Sequence, residues 1–262
     1  MISFVLATRN DGYGGGCPGV PDFTMRRLQI TVQSLLALGI AGEIIVVEWC
    51  PPADRPRVGE FLPDGPIRIL TVSPELGAEL DAANPAPRKL PFYEYVAKDI
   101  GIRRAACGTI AAVNPDNIFP LAGLHRAVDG LDDMTIARAI RHEIARDYAR
   151  EPLSELIAQA DARTLRVFKS FRGAGGDFCA FTRGGYDRLG GYLLVHGNRG
   201  VDAEFDARAR ANGVRIVQEY EHYHVTHDGA IVEAPGRPLS VAECPRIPAE
   251  LAARLLDYVS ED

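Results

Sequence analysis

Short apolar runs alternate with helix-like patterns through the first half of the chain. Residues 2–7 (ISFVLA) form an apolar, β-branched run that predicts a buried strand. Residues 24–38 carry leucine and valine at helical spacing, and they predict a helix that Thr24 caps and Gly39 ends. Residues 43–49 (EIIVVEW) are apolar on both faces, which is typical of a central parallel strand.

The same alternation continues to residue 113. Residues 67–72 (IRILTV) predict a third strand, residues 94–107 predict a helix, and residues 109–113 (TIAAV) predict a fourth strand. Strands that alternate with helices are typical of a parallel sheet covered on both faces. The first half of the chain therefore predicts an α/β fold with an open, mostly parallel sheet.

The second half follows a less regular pattern. The predicted elements are strands over residues 133–143, 177–182 and 214–221, a helix over 201–212, a loop over 235–248 and a short amphipathic helix over 249–258. The last strand leads into HYHVTH, residues 222–227, which holds three of the six histidines. Because no repeat and no convincing linker interrupts the chain, we expect one continuous domain over residues 1–262.

Charge and cysteine content exclude several classes of protein. The 29 Lys and Arg residues against 35 Asp and Glu residues give a net charge of −6, which argues against a general nucleic-acid binder. The five cysteines are scattered without CxxC spacing, so we expect reduced thiols in a cytoplasmic protein. The N-terminus does not resemble a secretory leader. No run of about 18 apolar residues occurs, so we expect no transmembrane segment.

Polar residues follow three of the predicted strands. Residues 8–11 (TRND) follow the first strand, Glu48 lies at the end of the second, and residues 114–116 (NPD) follow the fourth. Open α/β sheets bind ligands beyond the carboxyl ends of their strands. Each group alone is compatible with ordinary turn chemistry. Three such groups in this order predict one binding edge.

Several segments resemble a known family. FVLATRNDGYGG, EIIVVEWCPP and AKDIGIRRAACGTIAAVNPDNIF are similar to the GT-A fold of nucleotide-diphospho-sugar transferases, and more narrowly to inverting glycosyltransferases of family 2. The resemblance spans roughly residues 2–120, and more loosely 175–228. It implies a Rossmann-like sheet with helices on both faces. It also implies a nucleotide-binding half over about 1–120 and an acceptor-binding half over about 121–262.

The resemblance implies residues for the donor, the acceptor and catalysis. Glu48 would contact the base, and Arg103 on the predicted helix would reach the diphosphate. Asp202 matches the position of the catalytic base at a helix start, with Glu204 as the alternative. Asp177 would bond sugar hydroxyls of the acceptor, or would only form a tight turn. The predicted donor-binding residues are Thr8, Arg9, Asn10, Asp11, Glu48, Arg103 and Asn114.

The resemblance also implies a divalent cation, Mn²⁺ or Mg²⁺, at the end of the fourth strand. Asp116 matches the second acid of the family's Asp-x-Asp motif, but Asn114 replaces the first acid, so we expect weaker metal binding. His224 and His227 are the predicted additional ligands. The alternatives are an Asx turn at Asp116 and hydrogen-bonded histidines without a metal.

The resemblance implies the transfer of a sugar from a nucleotide-diphospho-sugar to an acceptor hydroxyl, with inversion at the anomeric carbon. One alternative is a sugar-1-phosphate nucleotidyltransferase, which is disfavoured because the first strand lacks the Gly-rich and basic signature of such enzymes. A second alternative is a non-catalytic protein that binds a nucleotide sugar. The sequence indicates neither the sugar and base of the donor nor the acceptor.

Overall fold

A computed structural model describes residues 1–12, 15–85, 90–159, 164–168, 175–227 and 241–261. Within these residues ten strands form one sheet. The strands are β1 (Ile2–Thr8), β2 (Ala41–Trp49), β3 (Ile67–Val72), β4 (Thr109–Val113), β5 (Asn117–Ile118), β6 (Thr135–Ile144), β7 (Thr164–Phe168), β8 (Phe178–Thr182), β9 (Arg215–Val225) and β10 (Val259–Glu261).

Helices cover both faces of this sheet. They are α1 (Phe23–Ala37), α2 (Pro74–Ala83), α3 (Glu94–Arg104), α4 (Leu124–Val128), α5 (Leu153–Gln159), α6 (Arg183–Arg188), α7 (Val201–Ala211) and α8 (Ala249–Ala253). Short 3₁₀ turns occur at Val58–Phe61, Arg146–Arg150, Gly175–Asp177 and Leu255–Tyr258. None of the helices described has the length and apolar character needed to cross a bilayer.

The sheet runs in the order β10-β3-β2-β1-β4-β8-β6-β9-β5, and β7 pairs with β6. Strands β3, β2, β1 and β4 are parallel to one another, as the sequence predicts. Strand β8 runs antiparallel to both β4 and β6, whereas β9 is parallel to β6. The predicted α/β fold is therefore confirmed, with its regular parallel part in the first half of the chain.

Strand β1 is buried on both faces, as its uninterrupted apolar run predicts. Phe4 and Leu6 pack into a cluster with residues of α1, whereas Val5 and Ala7 pack into a second cluster with residues of α3. These side chains are at most 1% exposed. Burial of each large apolar side chain contributes about 1.5–3 kcal/mol. The sheet is thus fixed between two apolar layers, which leaves the strand ends to carry polar chemistry.

Gly101 allows α3 to approach the sheet closely. A Cβ atom at this position would lie 2.5 Å from Cγ1 of Val5 and 2.9 Å from Cγ2 of Val47. Real Cβ atoms do not approach other carbon atoms this closely, because the interior is already densely packed. The missing side chain therefore sets the distance between α3 and strands β1 and β2.

Some element boundaries differ from the predictions. Strand β9 continues to Val225 because it pairs with β6 along nearly its whole length, so His222 and His224 lie within a strand. The predicted helix over 249–258 divides into α8 and a 3₁₀ turn, and β10 follows by pairing with β3. The predicted loop over 235–248 lies partly outside the described residues. Helices α2 and α4 and the short strand β5 were not predicted.

Candidate metal and donor site

Pairing of two strands brings the predicted metal residues together. Asp116 lies between β4 and β5, and the pairing of β5 with β9 places Asn117 opposite His224. The backbone N–H of Val225 donates to the carbonyl oxygen of Asp116 at 2.9 Å. His227 follows two residues after β9 ends. This register places the three side chains at the carboxyl end of β4.

Asp116, His224 and His227 form a compact group that we call the metal cluster. Oδ2 of Asp116 lies 3.5 Å from Nε2 of His224 and 3.0 Å from Nε2 of His227. Possible ligand atoms of the three residues lie within 4.8 Å of one another. Atoms that each bind one ion at about 2.1 Å are at most about 4.2 Å apart, so small side-chain rotations complete the site. The described part of the chain contains no second group of this kind.

The electrostatic surroundings keep Asp116 ionised although it is buried. Burial alone raises the pKa of a carboxyl group. The charge and hydrogen bond of His224, the hydrogen bond of His227 and the charge of Arg27 outweigh burial, and they hold the pKa of Asp116 well below its usual range. Burial lowers the pKa of His224, but the charge of Asp116 prevails and raises that pKa to about 9. A cation that binds here therefore replaces a proton on the imidazole of His224.

Glu143 orients the imidazole of His224. Nδ1 of His224 lies 2.8 Å from Oε2 of Glu143 and 2.8 Å from Nη2 of Arg141. One nitrogen cannot donate and accept at the same position, and Arg141 also forms an ion pair with Glu143. We therefore assign Nδ1–H as the donor to Glu143. Nε2 of His224 then faces Asp116, and once its proton is displaced its lone pair is available to a cation that binds there.

Asn114 does not contribute its amide oxygen to the metal cluster. Its Oδ1 accepts a hydrogen bond from Nζ of Lys98 at 2.5 Å, and its Nδ2 donates to Oδ1 of Asp177 at 2.9 Å. Lys98 is buried and also donates to Glu94 at 2.7 Å and to the carbonyl of Gly176 at 3.1 Å. Lys98 therefore already occupies the amide oxygen of Asn114, a predicted donor-binding residue.

Asp177 is an internal anion of this network. It ends the 3₁₀ turn before β8, and it is 3% exposed. Asn114 donates to one carboxylate oxygen, and Nη1 of Arg141 donates to the other at 2.8 Å. Burial raises the pKa of Asp177, but the imidazole of His222, whose Nε2 lies 3.7 Å away, and the charge of Arg141 outweigh it and lower that pKa. The predicted contact with an acceptor would have to share these oxygens with the protein's own donors.

Glu48 is buried at the carboxyl end of β2, and it holds an arginine. Its Oε1 accepts a hydrogen bond from the backbone N–H of Val58 at 2.9 Å, and its Oε2 accepts one from Nε of Arg57 at 2.6 Å. The side chain of Arg57 is 44% exposed, whereas that of Glu48 is 1% exposed. The group presented to solvent at this strand end is therefore the guanidinium of Arg57.

The segment after β1 is tied to two neighbouring loops. Thr8 lies beside Glu48 in the parallel pairing of β1 with β2. Nδ2 of Asn10 donates to the carbonyl of Pro56 at 3.0 Å, and Arg9 donates to the carbonyl of Pro91. Nε of Arg9 and Oδ2 of Asp11 are 3.9 Å apart. The predicted donor residues of β1 thus line the same sheet edge as Glu48.

Asp202 lies in the first turn of α7, next to the carboxyl end of β4. Its carbonyl accepts a hydrogen bond from Nη2 of Arg138 at 3.4 Å, and Nη1 of Arg138 reaches the carbonyl of Phe178 at 3.4 Å. Phe178 pairs with Val113, the last residue of β4. The Asp202 side chain is half-buried and makes no hydrogen bond to the described residues. A carboxylate with free oxygens near this edge can accept a proton.

Two other predicted residues are engaged elsewhere. Arg103 lies near the last turn of α3 and pairs with Asp99 at 2.7 Å. That end of α3 contacts the start of the strands, because the carbonyl of Arg104 accepts a hydrogen bond from Arg68 on β3. Arg103 is therefore not brought to the predicted donor site, because α3 runs away from the carboxyl edge. Glu204, the alternative base, forms an ion pair with Arg208 at 2.8 Å.

The sequence analysis did not identify Lys98, Glu143 or Arg27 as residues of this site. For Lys98 the sequence offers one signal: the chain has only three lysines, so a lysine within a predicted helix is unusual here. Glu143 and Arg27 leave no such signal, since their roles depend on which strands and helices pack together. Lys98 lies about one and a half turns before Arg103 on α3, so the same helix brings a different basic residue to Asn114.

No protein-family model matches this sequence, and no curated protein matches it significantly. Among solved structures, the chain resembles GalNAc-T7 with UDP, GalNAc and Mn²⁺, with a TM-score of 0.55 and 13% identity over 92% of this chain and 45% of that chain. It also resembles the mannosyltransferase PcManGT from Pyrobaculum calidifontis in complex with GDP-Man and Mn²⁺. That likeness has a TM-score of 0.51 and 14% identity over 87% of this chain and 58% of that chain.

The chain therefore spans about half the length of these two structures. Likeness at such low identity concerns the arrangement of strands and helices rather than individual residues. Both structures are glycosyltransferases of the GT-A type. The chain described here has the GT-A fold.

Proposed function

We propose that this protein is a glycosyltransferase that moves a sugar from a nucleotide-diphospho-sugar to an acceptor hydroxyl. The observation that carries the proposal is the position of the metal cluster at the carboxyl end of β4. Two solved glycosyltransferases with the same fold hold Mn²⁺ together with UDP or GDP-Man. The cluster supplies this chain with side chains suited to the same combination of ligands.

The chemistry of the cluster favours Mn²⁺ over Mg²⁺. One carboxylate oxygen and two imidazole nitrogens form the ligand set. Mg²⁺ strongly prefers oxygen ligands, whereas imidazole nitrogen suits transition metals and carboxylate oxygen suits Mn²⁺. Three protein ligands leave coordination positions for diphosphate oxygens. The bound cation would stabilise the negative charge that develops on the leaving diphosphate.

We propose that the first half of the chain binds the donor. In this proposal Glu48 orients Arg57, and the guanidinium of Arg57 contacts the base. Asn114 contributes indirectly, by holding Lys98 and Asp177 in position through its hydrogen bonds. Arg103 is not part of the proposed donor site. The proposed donor-binding residues are Thr8, Arg9, Asn10, Asp11, Glu48 and Asn114.

We further propose that Asp202 removes the proton of the acceptor hydroxyl. The half-buried position and unbonded carboxylate of Asp202 support this role. Direct attack by the acceptor would invert the configuration at the anomeric carbon. Asp177 would help to bind the acceptor, with Arg141 holding its carboxylate in place. In this proposal the second half of the chain provides the acceptor side of the site.

A donor panel tests the proposed function. UDP-, GDP- and dTDP-sugars would be incubated with the full chain and Mn²⁺, and release of the nucleoside diphosphate would be measured with and without candidate acceptors. We expect Mn²⁺-dependent release with one class of donor, and we expect NMR of the product to show an inverted anomeric carbon. Tight nucleotide binding without turnover would favour a non-catalytic binding protein. Pyrophosphate release from a nucleoside triphosphate would favour a nucleotidyltransferase.

A further inference from the structure

Arg27 places a buried positive charge against the metal cluster. Its side chain on α1 is 2% exposed, and its Nη1 donates to Oδ2 of Asp116 at 3.3 Å. The same oxygen faces His224 and His227. The guanidinium carbon lies 4.9 Å from the centre of the Phe23 ring, and this contact favours the observed orientation. An arginine therefore shares the one carboxylate of the cluster.

Among the described residues, the carboxylates near the metal cluster do not balance the charge of a divalent cation. Nη1 of Arg141 donates to Asp177 at 2.8 Å, and Nη2 of Arg141 pairs with Glu143. Together with Asp116 and Arg27, these side chains comprise three carboxylates and two guanidiniums, which leaves one net negative charge. A divalent cation needs two, and the imidazole ligands are neutral when they bind a metal. An uncompensated charge in a buried site is costly.

We infer that Arg27 makes binding of the divalent cation depend on a nucleoside diphosphate. The diphosphate carries the negative charge that the cluster lacks, and it brings that charge close to both the cation and Arg27. By linkage, each ligand raises the affinity of the other by the same factor. The inference rests on the proposed function, because it takes the diphosphate of the donor as the second ligand.

Calorimetry on the wild-type protein tests this coupling without any substitution. Mn²⁺ would be titrated alone and in the presence of saturating UDP, GDP or dTDP. Charges within a few ångströms of one another interact strongly in partly buried sites, so we expect the nucleotide that binds to raise Mn²⁺ affinity at least about tenfold. Equal Mn²⁺ affinity with and without every nucleotide would overturn the inference, and so would a complete lack of Mn²⁺ binding.

Substitutions of Arg27 assign the coupling to this residue. Arg27→Met removes the charge and keeps an unbranched side chain beside Phe23, so Mn²⁺ alone should bind at least about tenfold more tightly. Arg27→Lys keeps the charge and should resemble the wild type. Arg26→Met is the matched control, because Arg26 donates to the carbonyls of Ala149 and Glu151 rather than to the cluster. It should leave Mn²⁺ affinity unchanged.

Folded Arg27→Met protein with unchanged or weaker affinity for Mn²⁺ alone would overturn the inference. If Arg27→Met does not fold, Arg27→Gln, which also removes the charge, takes its place, and unchanged or weaker affinity of that variant for Mn²⁺ alone would again overturn the inference. The proposed function fails in a different way. Coupled binding of Mn²⁺ and nucleotide without sugar transfer would contradict the function and leave the inference standing. Sugar transfer by a protein whose Mn²⁺ affinity is the same with and without nucleotide would support the proposed function and overturn the inference.

Discussion

Nδ1 of His224 lies 2.8 Å from Oε2 of Glu143, directly across the pairing of β9 with β6. The carboxylate fixes the imidazole tautomer, so that Nε2 faces Asp116 and a possible cation. Carboxylates in this position are also known to raise the basicity of a histidine ligand. The cluster therefore depends on a residue that does not itself reach the cation.

The Glu143–His224 contact makes a first prediction. Glu143→Gln should lower Mn²⁺ affinity about 10- to 100-fold, because an amide orients the imidazole less strongly than a carboxylate does. Calorimetry in the presence of the bound nucleotide would measure the loss. Glu221→Gln is the control. It also removes one negative charge, but Glu221 lies on β9 and its carboxylate is 3.3 Å from His142 rather than beside His224. Equal losses in both variants would contradict an orienting role for Glu143.

Asp202→Asn tests the proposed base. The substitution keeps the shape of the side chain and removes its basicity, so turnover should fall about 10²- to 10⁴-fold. Donor affinity should change little, and the loss of a negative charge at the start of α7 should cost at most about 0.3–1 kcal/mol of unfolding free energy. Steady-state kinetics and thermal unfolding would check both. Glu204→Gln is the control, since Glu204 pairs with Arg208. Wild-type turnover in folded Asp202→Asn protein would leave Asp202 without a catalytic role.

Gly101→Ala tests the close packing of α3 on the sheet. The added methyl group would meet Val5 at 2.5 Å and Val47 at 2.9 Å. Overpacking of this kind lowers the unfolding free energy by about 1–3 kcal/mol, which outweighs the better helix propensity of alanine. Urea denaturation would measure the change. Gly108→Ala is the control, because a Cβ there meets nothing within 4 Å. Equal stability of the two variants would show that α3 can shift without cost.

The fold was more predictable from the sequence than the site. Strand β1 could be located because its apolar run is local, and strand β4 could be located because Asn114 and Pro115 end it. The pairing of β5 with β9 has no local signal, because two short segments about 100 residues apart meet only after the sheet forms. The sequence predicts Asp116, His224 and His227 individually as metal ligands, but the contact between them depends on that pairing.

The basic residues of the site were the least predictable. Arginine and lysine on a helix are normally exposed, so their positions alone do not separate Arg27 and Lys98 from Arg103. The structure separates them by burial, because Lys98 is 1% exposed and Arg103 is 40% exposed. The packing of α1 and α3 against the sheet decides which basic side chain faces Asp116 and which one faces Asn114.

Asp116→Ala tests whether the metal cluster is responsible for the effect of Mn²⁺ on nucleotide affinity. The substitution removes the only carboxylate among the three possible ligands, so Mn²⁺ should no longer increase the affinity for a nucleoside diphosphate. Calorimetry with UDP and GDP, with and without Mn²⁺, would measure this. Asp129→Ala is the control, since Asp129 is exposed and lies 3.9 Å from His125. An unchanged effect of Mn²⁺ in Asp116→Ala would make Asp116 a structural residue only.

The central claim is that Asp116, His224 and His227 bind one cation together with the donor diphosphate. The most direct test is a crystal structure of the full chain grown with Mn²⁺ and the nucleoside diphosphate that binds, with anomalous data collected at the manganese absorption edge. We expect one anomalous peak about 2.0–2.3 Å from Oδ2 of Asp116 and from Nε2 of both histidines, with diphosphate oxygens in the remaining positions. A bound nucleotide with no anomalous peak at these three side chains would contradict the claim.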